Sequence, residues 1–564
     1  MSPISHKLRS WRRCRPLSIW SRQEDPLSPH EQTMIFMALL LLGITARGLR
    51  YVLRFPLWED ETFLCVNFID KSFLELMGPL THHQTAPIGF LWGEAAMVKV
   101  FGFHELSLRL IPFLYAIGAL AGFAWIVRRL VQGTPALLAM AFLVPAYSGI
   151  RYAAEAKQYS GDLFFAVLLL VLAVEWWRNP RNTKWLWAIV ILTPLCVLTS
   201  FPAVFVAGGL TGWIAIVLLA RQQRSGIAPW ATLLVLLFGS FGLLFILSAG
   251  AQAKSELGFM QAYWSAAFPP LSEPWKLPGW LVVTHASDLL SYPAGSERGG
   301  STLTFIFVML GLFAFWRRGR WGSLGLLLAP FILTLLAASV HRYPYGGHVK
   351  FSQHLAPAIC LFAGLGLAFG LHRLRNKPDR GRGAIVVSLS ILSMFGVGSM
   401  VRDTLNPHKT LSDMRQRAFA EWFWFTSAFD GEVRYLDVDF NLNLSPTLNI
   451  NHTWETMFRC NKEIYMPDAR PVGTNPKVEH LRPLRCVLYR DPTHPFDEAG
   501  LKDWLAEMQT VYELTSFDSY TIPRYNKREN TMIHVDYLDI YTFHERPPEF
   551  PETPATPGNT LPAD

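Results

Sequence analysis

Three consecutive acidic residues, Glu59, Asp60 and Glu61, follow the first long apolar stretch of the chain. Carboxylates this close repel one another, so at least one has a raised pKa unless a cation or a bound hydroxyl group compensates. A carboxylate in such a setting can accept the proton of a hydroxyl group that attacks an electrophile. The motif alone also fits a solvated loop that merely carries charge.

A second polar segment, 151–162, opens the fourth apolar stretch. Glu155, Tyr159 and Asp162 recur at spacings of four and three, which places them on one face of a helix. Lys157 lies among them, so this face offers a cation for a phosphate group and acids that can position a sugar. A helix start with snorkelling basic side chains is the alternative.

A third polar segment, 341–350, separates two apolar stretches and contains Pro-Tyr-Gly-Gly. Such a sequence forces an irregular turn, which at membrane depth is tolerated only where it lines a cavity in protein or water. Arg342, His348 and Lys350 make the turn cationic. An ordinary connecting loop remains the alternative.

Membrane helices are the elements that must position these groups. Of the 564 residues 51% are hydrophobic and only 17% are charged, too few charges for a soluble protein of this size. Stretches long enough to cross about 30 Å of hydrocarbon lie at 33–50, 107–127, 134–150, 162–177, 184–200, 202–220, 229–250, 301–316, 321–340, 351–371 and 383–400. We therefore predict a mostly α, polytopic membrane protein of about eleven transmembrane helices. The apolar segment 84–101 contains Glu94 and Lys99, and we predict that it lies at the membrane interface.

The charges divide near residue 400. The first 400 residues carry 34 Lys and Arg against 18 Asp and Glu, and the last 164 carry 17 against 25. Basic residues cluster in alternate loops, which marks those loops and the N-terminus as cytoplasmic. All three polar segments then lie on the outer side. Nucleic acid is excluded as a partner, because the basic excess lies among apolar stretches and the long polar segment is acidic.

Four parts follow from these patterns: a basic cytoplasmic tail, a transmembrane domain with an outer loop at 51–106, an extracytoplasmic α/β domain and a disordered tail rich in Pro and Thr. Their boundaries are 1–32, 33–400, 401–546 and 547–564. In the third part, alternating runs predict strands at 433–439, 485–490 and 532–543 and a helix at 497–509. A disulfide between Cys460 and Cys486 is open, since an extracytoplasmic location would permit one.

Short motifs, in their order along the chain, resemble those of the GT-C integral membrane glycosyltransferases. They are Trp58-Glu-Asp60-Glu61, His83-Gln84-Thr-Ala-Pro87, Gly102-Phe-His-Glu105 with Arg109, Glu155-Ala-Lys157-Gln-Tyr159-Ser, and Tyr343-Pro-Tyr-Gly-Gly347. The chain is most similar to the bacterial group related to protein O-mannosyltransferases and lipid A aminoarabinose transferases (glycosyltransferase family 39/83-like). The resemblance covers about residues 50–400, and 401–564 have no counterpart in it.

The resemblance implies a polyprenyl-phosphate-linked sugar as donor and an extracytoplasmic glycan, lipid or protein as acceptor, at the bacterial plasma membrane. It assigns Asp60, with Glu61 beside it, as the general base. Donor phosphate and sugar would be bound by Glu155, Lys157, Tyr159, Arg342, His348 and Lys350. The acceptor or its loop would be positioned by His83, Gln84 and Arg109. Relatives often place Arg where this chain has His348, so Lys350 or Arg342 would substitute as the phosphate ligand.

No particular cofactor is implied. Neither GxGxxG nor a P-loop occurs, as a lipid-linked donor would permit, and a divalent metal with Asp60 and His83 as candidate ligands stays open. A transporter, a lipid-linked sugar flippase or a non-catalytic scaffold are the alternatives. Transporters place ionisable residues near the bilayer midplane and often contain repeats, and the sequence shows neither pattern.

Overall fold

A computed structural model of the chain forms two compact units, Met1–Lys409 and Thr410–Asp564. The structure describes residues 14, 16–20, 24–295, 300–374, 378–426, 429, 431–436, 452–468, 483–490, 492–493, 496, 498–525 and 531–546. The first thirteen residues of the basic tail and the predicted disordered tail 547–564 lie outside these ranges.

The first unit is helical. Its principal helices are α1 (Pro29–Val52), α2 (Glu59–Cys65), α3 (Ile88–Phe101), α4 (Leu110–Leu130), α5 (Thr134–Leu143), α6 (Tyr147–Arg151), α7 (Tyr159–Arg178), α8 (Lys184–Thr199), α9 (Ala203–Arg221), α10 (Ile227–Leu244), α11 (Gly250–Tyr263), α12 (Leu277–Ala286), α13 (Gly300–Arg317), α14 (Trp321–Ser339), α15 (Ala356–Leu371) and α16 (Pro378–Leu405). Single turns of helix lie at Asn67–Asp70, Glu75–Met77, Glu105–Leu108, Tyr152–Ala154, Arg224–Gly226, Phe245–Ala249, Ser265–Ala267, Pro274–Lys276 and His372–Leu374, and a longer 3₁₀ segment at Val349–Leu355.

Eight helices of the described chain are long and apolar enough to cross a membrane. They are Pro29–Val52, Leu110–Leu130, Tyr159–Arg178, Ala203–Arg221, Arg224–Lys254, Trp321–Ser339, Val349–Leu374 and Asp379–Leu405. The pair Thr134–Leu143 and Tyr147–Ala154, bent by 57°, makes a ninth if it is one span, and Lys184–Thr199 and Ser301–Arg317 are shorter apolar helices. The protein is thus a multi-pass membrane protein, as predicted, and the number eleven stays a prediction.

Helix α3 occupies the segment predicted to be interfacial. It begins after Pro87 and has 14 residues, too few to cross about 30 Å of hydrocarbon at 1.5 Å per residue. The side chain of Glu94 is fully buried against the protein rather than exposed. The interfacial position stays a prediction, but Glu94 does not mark a solvent-facing side of this helix.

Small residues let three helices of this unit pack backbone to backbone. A Cβ atom on Gly366 of α15 would collide with the Phe307 carbonyl oxygen of α13, and one on Gly311 of α13 would collide with the Phe362 carbonyl oxygen. On another side of α15, a Cβ on Gly364 would meet the backbone of Ala139 in α5. Such contacts replace the hydrophobic driving force that helices lack in lipid.

The second unit is a small α/β domain. Its elements are α17 (Leu411–Glu421), which continues as Trp422–Thr426, then β1 (Glu432–Leu436), α18 (His452–Tyr465), β2 (Leu484–Arg490), α19 (Glu498–Val511), β3 (Tyr512–Tyr525) and β4 (Met532–Glu545). The strand order is β1-β2-β4-β3, with β1 parallel to β2 and the other pairs antiparallel.

Side chains alternate between the two faces of this sheet, as strand geometry requires. On β2, Val487 and Tyr489 belong to the apolar cluster that includes α17 and α18. Leu484 and Leu488 belong to a second cluster with α19. Helices therefore cover both faces of the sheet.

Most of the predicted elements of this domain are present. The predicted strands 485–490 and 532–543 and the helix 497–509 correspond to β2, β4 and α19. Strand β1 ends at Leu436, and the rest of the predicted strand 433–439 lies outside the described residues. Strand β3 was missed because a β-bulge between Leu514 and Ser516 interrupts the alternation of its apolar and polar residues. Cys460 and Cys486 are both buried, and no disulfide joins these two described residues.

Candidate active site

Asp60 lies in the first turn of α2, where a helix N-terminus favours negative charge. Lys157 donates a hydrogen bond from Nζ to Oδ1 of Asp60 at 3.1 Å. Burial raises the pKa of Asp60, but the ammonium groups of Lys157 and Lys350 outweigh burial, and the pKa lies below its ordinary value. The compensating cation required by three adjacent acids is therefore present.

Lys157 belongs to a short buried turn between α6 and α7. Besides Asp60, its Nζ donates to Oε1 of Gln84 at 2.6 Å. Gln84 in turn donates to the carbonyl oxygen of His82 at 3.0 Å. The ammonium group is thus held by two different parts of the outer loop.

Glu61 is fully buried and engaged on both oxygens. Arg109 donates to it twice, from Nε at 2.8 Å and from Nη2 at 2.6 Å, and the Ala156 backbone N–H donates at 2.7 Å. Arg109 also donates to the carbonyl oxygens of Phe55 and Pro56. This pair joins α2, the start of α4 and the turn before α7, and so fixes Asp60 opposite Lys157.

Glu155 is a buried acid with one engaged and one unengaged oxygen. Its Oε1 accepts a short hydrogen bond from Nε of Arg151, whereas Oε2 has no hydrogen-bond partner in the described structure. The guanidinium carbon of Arg151 lies 5.3 Å from the ring centroid of Trp58, within the range of a cation–π contact.

Lys350 is surrounded by aromatic rings. Its Nζ lies 4.9 Å from the ring of Trp264, 5.4 Å from Phe351 and 5.8 Å from Tyr159. Among the described residues no oxygen accepts a hydrogen bond from it, although its charge acts on Asp60. In this part of the structure Lys350 has no hydrogen-bonded anion, and the nearby carboxylate of Asp60 is already paired with Lys157.

The other two residues of the irregular turn differ from Lys350. His348 accepts a hydrogen bond on Nδ1 from the backbone of Lys350 at 3.1 Å. Burial, together with the charges of Lys350 and Arg151, lowers the pKa of His348 to about 4, so it is neutral at pH 7. Arg342 is exposed, and the described structure shows no contact between it and Asp60, Lys157 or Lys350.

His83 anchors the outer loop to α11. Its Nδ1 lies 2.6 Å from Oε2 of Glu256, and its ring stacks on Phe259 at 4.7 Å. Gln252 forms two hydrogen bonds with the backbone of Ala86, each at 3.2 Å. Sequence reasoning missed Glu256 and Gln252, because they follow an apolar span without a motif of their own.

A shared metal site for Asp60 and His83 does not fit these contacts. Asp60 faces ammonium groups, which repel a further cation, and His83 is engaged with Glu256. Within the described ranges, no group of three or more His, Cys, Asp and Glu side chains could hold a metal ion.

Two further residues near Asp60 and Lys350 belong to no motif that the sequence indicates. Trp264 forms part of the aromatic surround of Lys350. Lys409, four residues after the end of α16, places its ammonium group on the ring of Trp58. A lone lysine after a membrane helix is ordinary, so only the fold reveals its position beside the site.

Comparison of the sequence with protein-family models and with curated proteins gives no match. Among solved structures, ArnT from Cupriavidus metallidurans bound to undecaprenyl phosphate matches 91% of this chain and 98% of its own, at 12% identity and a TM-score of 0.51. The fold is GT-C-like. The resemblance predicted from the motifs is confirmed at the level of the fold.

Two further solved structures are similar to this GT-C-like chain. ArnT in the apo state matches 90% of this chain and 97% of its own, at 11% identity and a TM-score of 0.48. An Archaeoglobus fulgidus oligosaccharyltransferase tethered with an acceptor peptide matches 79% of this chain and 64% of its own, at 11% identity and a TM-score of 0.46.

Proposed function

We propose that this protein is a membrane glycosyltransferase that moves a sugar from a polyprenyl-phosphate-linked donor to a hydroxyl group of an extracytoplasmic glycan, lipid or protein. The observation that carries the proposal is the juxtaposition of an ionised Asp60 with Lys157 and Lys350. Such a site combines a proton acceptor with cations for a phosphate, which is what this reaction requires.

The donor phosphate would bind at Lys350. Arg151 is paired with Glu155 and Lys157 with Asp60, so Lys350 supplies positive charge in excess. A phosphodiester donor has one negative charge, and the departing polyprenyl phosphate approaches two. Cations fixed beforehand therefore stabilise the leaving group more than the bound donor, which lowers the barrier. The undecaprenyl phosphate bound to the Cupriavidus metallidurans ArnT supports this class of ligand.

Asp60 would act as the general base. As the acceptor oxygen forms its bond to the anomeric carbon, the bond from that carbon to the phosphate oxygen breaks, and the hydroxyl proton passes to Asp60. One displacement of this kind inverts the anomeric configuration. The proposed step uses no metal ion, because the Asp60 carboxylate is paired with Lys157 and His83 with Glu256.

The remaining side chains would bind or position. Glu155 Oε2 could accept a hydrogen bond from a sugar hydroxyl, and Tyr159 would border the sugar with its ring. Glu61 and Arg109 would act through the position of α2, and Gln84 through Lys157. His83 would hold the outer loop on α11. Arg342 and His348 are weaker candidates for the phosphate than Lys350, since one lies apart from the cluster and the other is neutral.

Purified protein in lipid nanodiscs, incubated with radiolabelled polyprenyl-phosphate sugars, tests the proposal. We expect transfer to an added acceptor or slow hydrolysis, and a rate about 10²–10⁴-fold lower in Asp60→Asn. Binding of the lipid without turnover in any donor series would favour a flippase or transporter instead. Absence of both binding and turnover would favour a scaffold.

A further inference from the structure

Lys409 is the last residue of the membrane unit and lies outside every motif described above. Its ammonium group rests on the indole ring of Trp58, two residues before Asp60. The guanidinium group of Arg151 is a second cation on the same ring. Trp58 therefore holds two cations, each from a different part of the chain, next to the proposed base.

The position of Lys409 is fixed by the end of α16. Asp403 in the last turns of that helix forms a buried ion pair with Arg50 of α1 at 2.6 Å. The neighbouring Arg402 donates to the Tyr147 hydroxyl at 2.6 Å. After the helix ends, the His408 backbone N–H donates to the Asn406 carbonyl oxygen at 2.8 Å. These contacts direct the chain toward Trp58.

The charge of Lys409 acts on two groups of the site. It contributes to the low pKa of Asp60 and, together with Lys350 and Arg151, to the low pKa of His348. An ammonium group that influences both groups lies close enough to influence a phosphate bound near Lys350.

We propose that Lys409 is a further cation of the site. The Trp58 ring holds its ammonium group where its charge adds to that of Lys350 in attracting the phosphate of a polyprenyl phosphate ligand. The departing polyprenyl phosphate carries more negative charge than the phosphodiester of the donor. The electrostatic effect of Lys409 would therefore be larger on the leaving group than on the donor. This inference rests on the proposed function.

The test compares Lys409→Gln with the wild-type protein in two measurements. We expect Lys409→Gln to bind polyprenyl phosphate about tenfold more weakly, since one charge is lost from the phosphate environment. The acid limb of its kcat/KM profile should move to higher pH, because Asp60 loses one of the cations that lower its pKa. Lys409→Arg should restore both.

Two control variants separate this role from general effects. Lys276→Gln removes an exposed ammonium group that pairs with Glu273 on the surface, and it should change neither measurement. Lys409→Met keeps an unbranched side chain on the Trp58 ring but removes the charge. It replaces Lys409→Gln in both measurements if size exclusion and thermal unfolding show that Lys409→Gln does not fold. An uncharged variant with wild-type affinity and an unmoved acid limb would overturn the inference.

The outcomes also distinguish this inference from the proposed function. If the wild-type protein binds polyprenyl phosphate but transfers no sugar, the proposed function is wrong, and the affinity of Lys409→Gln still decides the role of Lys409. If the wild-type protein does not bind polyprenyl phosphate, both are wrong. If it transfers sugar and Lys409→Gln does so with unchanged constants, only the inference is wrong.

Discussion

Asp60 and Glu61 are adjacent acids with the same hydrogen-bonding chemistry, and their surroundings give them different roles. Asp60 keeps a partly exposed carboxylate beside Lys157. Glu61 is fully enclosed, and Arg109 and Ala156 use both of its oxygens. A hydroxyl group can therefore approach Asp60, whereas a change at Glu61 acts first on the backbone of α2.

Replacement of Asp60 by Asn should lower the rate of transfer about 10²–10⁴-fold, because the proposed general base would be lost. The protein should remain folded and inserted in the membrane, since Asn keeps the size of the side chain. Initial rates on purified protein check the effect, and Glu59→Gln, a change at the exposed neighbour, is the control. Retained transfer in Asp60→Asn would rule out the assignment of the base.

The pH dependence follows from the direction of the Asp60 shift. A base must be deprotonated, and a pKa below the ordinary 3.8 keeps Asp60 deprotonated at all pH values above about 4. His348, with a pKa of about 4, also stays neutral over this range. We expect kcat/KM to be flat from pH 8 to pH 5. A fall of tenfold within that interval would show that another group controls the step.

Glu94 should make the folded state less stable as pH rises. Both of its oxygens are buried without a hydrogen-bond partner in the described structure, and burial, with the nearby charge of Glu61, raises its pKa well above the ordinary 4.5. The folded protein favours the protonated form of Glu94. The contribution of Glu94 to the free energy of unfolding is therefore fully present below its pKa in the unfolded chain and is lost as pH rises through its pKa in the folded protein.

Glu94→Gln should abolish that dependence while keeping the volume of the side chain. Thermal unfolding of both proteins in detergent at pH 5, 7 and 9 measures the difference. We expect the two midpoints to agree at pH 5 and the variant to be the more stable at pH 9. Parallel pH dependence in the two proteins would contradict this account.

The sequence indicated most of the residues that the structure brings together around Asp60, but not the contacts among them. Asp60 and Lys157 were indicated as separate candidates, and only the structure shows the hydrogen bond between them. The burial of Glu61 depends on Arg109, a distant contact that no local pattern encodes. Lys409 could not be found, because its role depends on the path of the chain after α16.

At the scale of the elements, glycine residues let α15 pack directly against the backbones of α13 and α5. A side chain at Gly366 or Gly311 must push apart α13 and α15 at the level of the backbone. Overpacking of this kind costs roughly 1–3 kcal/mol and more where backbone cannot yield. The three-helix contact is therefore a sensitive part of the membrane unit.

Gly366→Ala should lower the thermal stability and the yield of folded protein clearly. Gly370→Ala is a matched control in the same helix, because a Cβ there has nothing within 4 Å. The two variants add the same methyl group to the same helix, so a loss seen only in Gly366→Ala reports the collision with α13. Fluorescence-detected size exclusion after heating gives the comparison. Equal stability of the two variants would contradict the close packing of α13 and α15.

At this scale the sequence predicts the membrane helices best, because their positions depend on hydrophobicity alone. Every predicted apolar stretch but one coincides with a single helix, because a stretch in lipid must satisfy its backbone internally. The exception, 134–150, is divided between α5 and α6. The 57° bend between α5 and α6 was not predicted, since Pro145 identifies a possible break but not its angle. Helices α17 and α18 were missed because their apolar faces are interrupted by charged residues.

For the whole molecule, the distribution of basic residues predicts the orientation in the membrane. The basic loops predict a cytoplasmic N-terminus, and an odd number of spans would place the unit Thr410–Asp564 outside. Alkaline phosphatase fused after the last residue should be active, and green fluorescent protein at the same position should be dark. The opposite pattern would mean an even number of spans or an inverted membrane unit.

The ion pair of Asp60 and Lys157 also bears on the order in which two substrates arrive. While Lys157 donates to the carboxylate, Asp60 has a low affinity for a proton. A donor phosphate that draws the ammonium group toward itself weakens this hydrogen bond and raises that affinity. An acceptor that enters first meets a weak base, whereas one that enters second meets a stronger base. Under the proposed function, the resting contact would favour an ordered reaction in which the lipid-linked sugar binds before the acceptor.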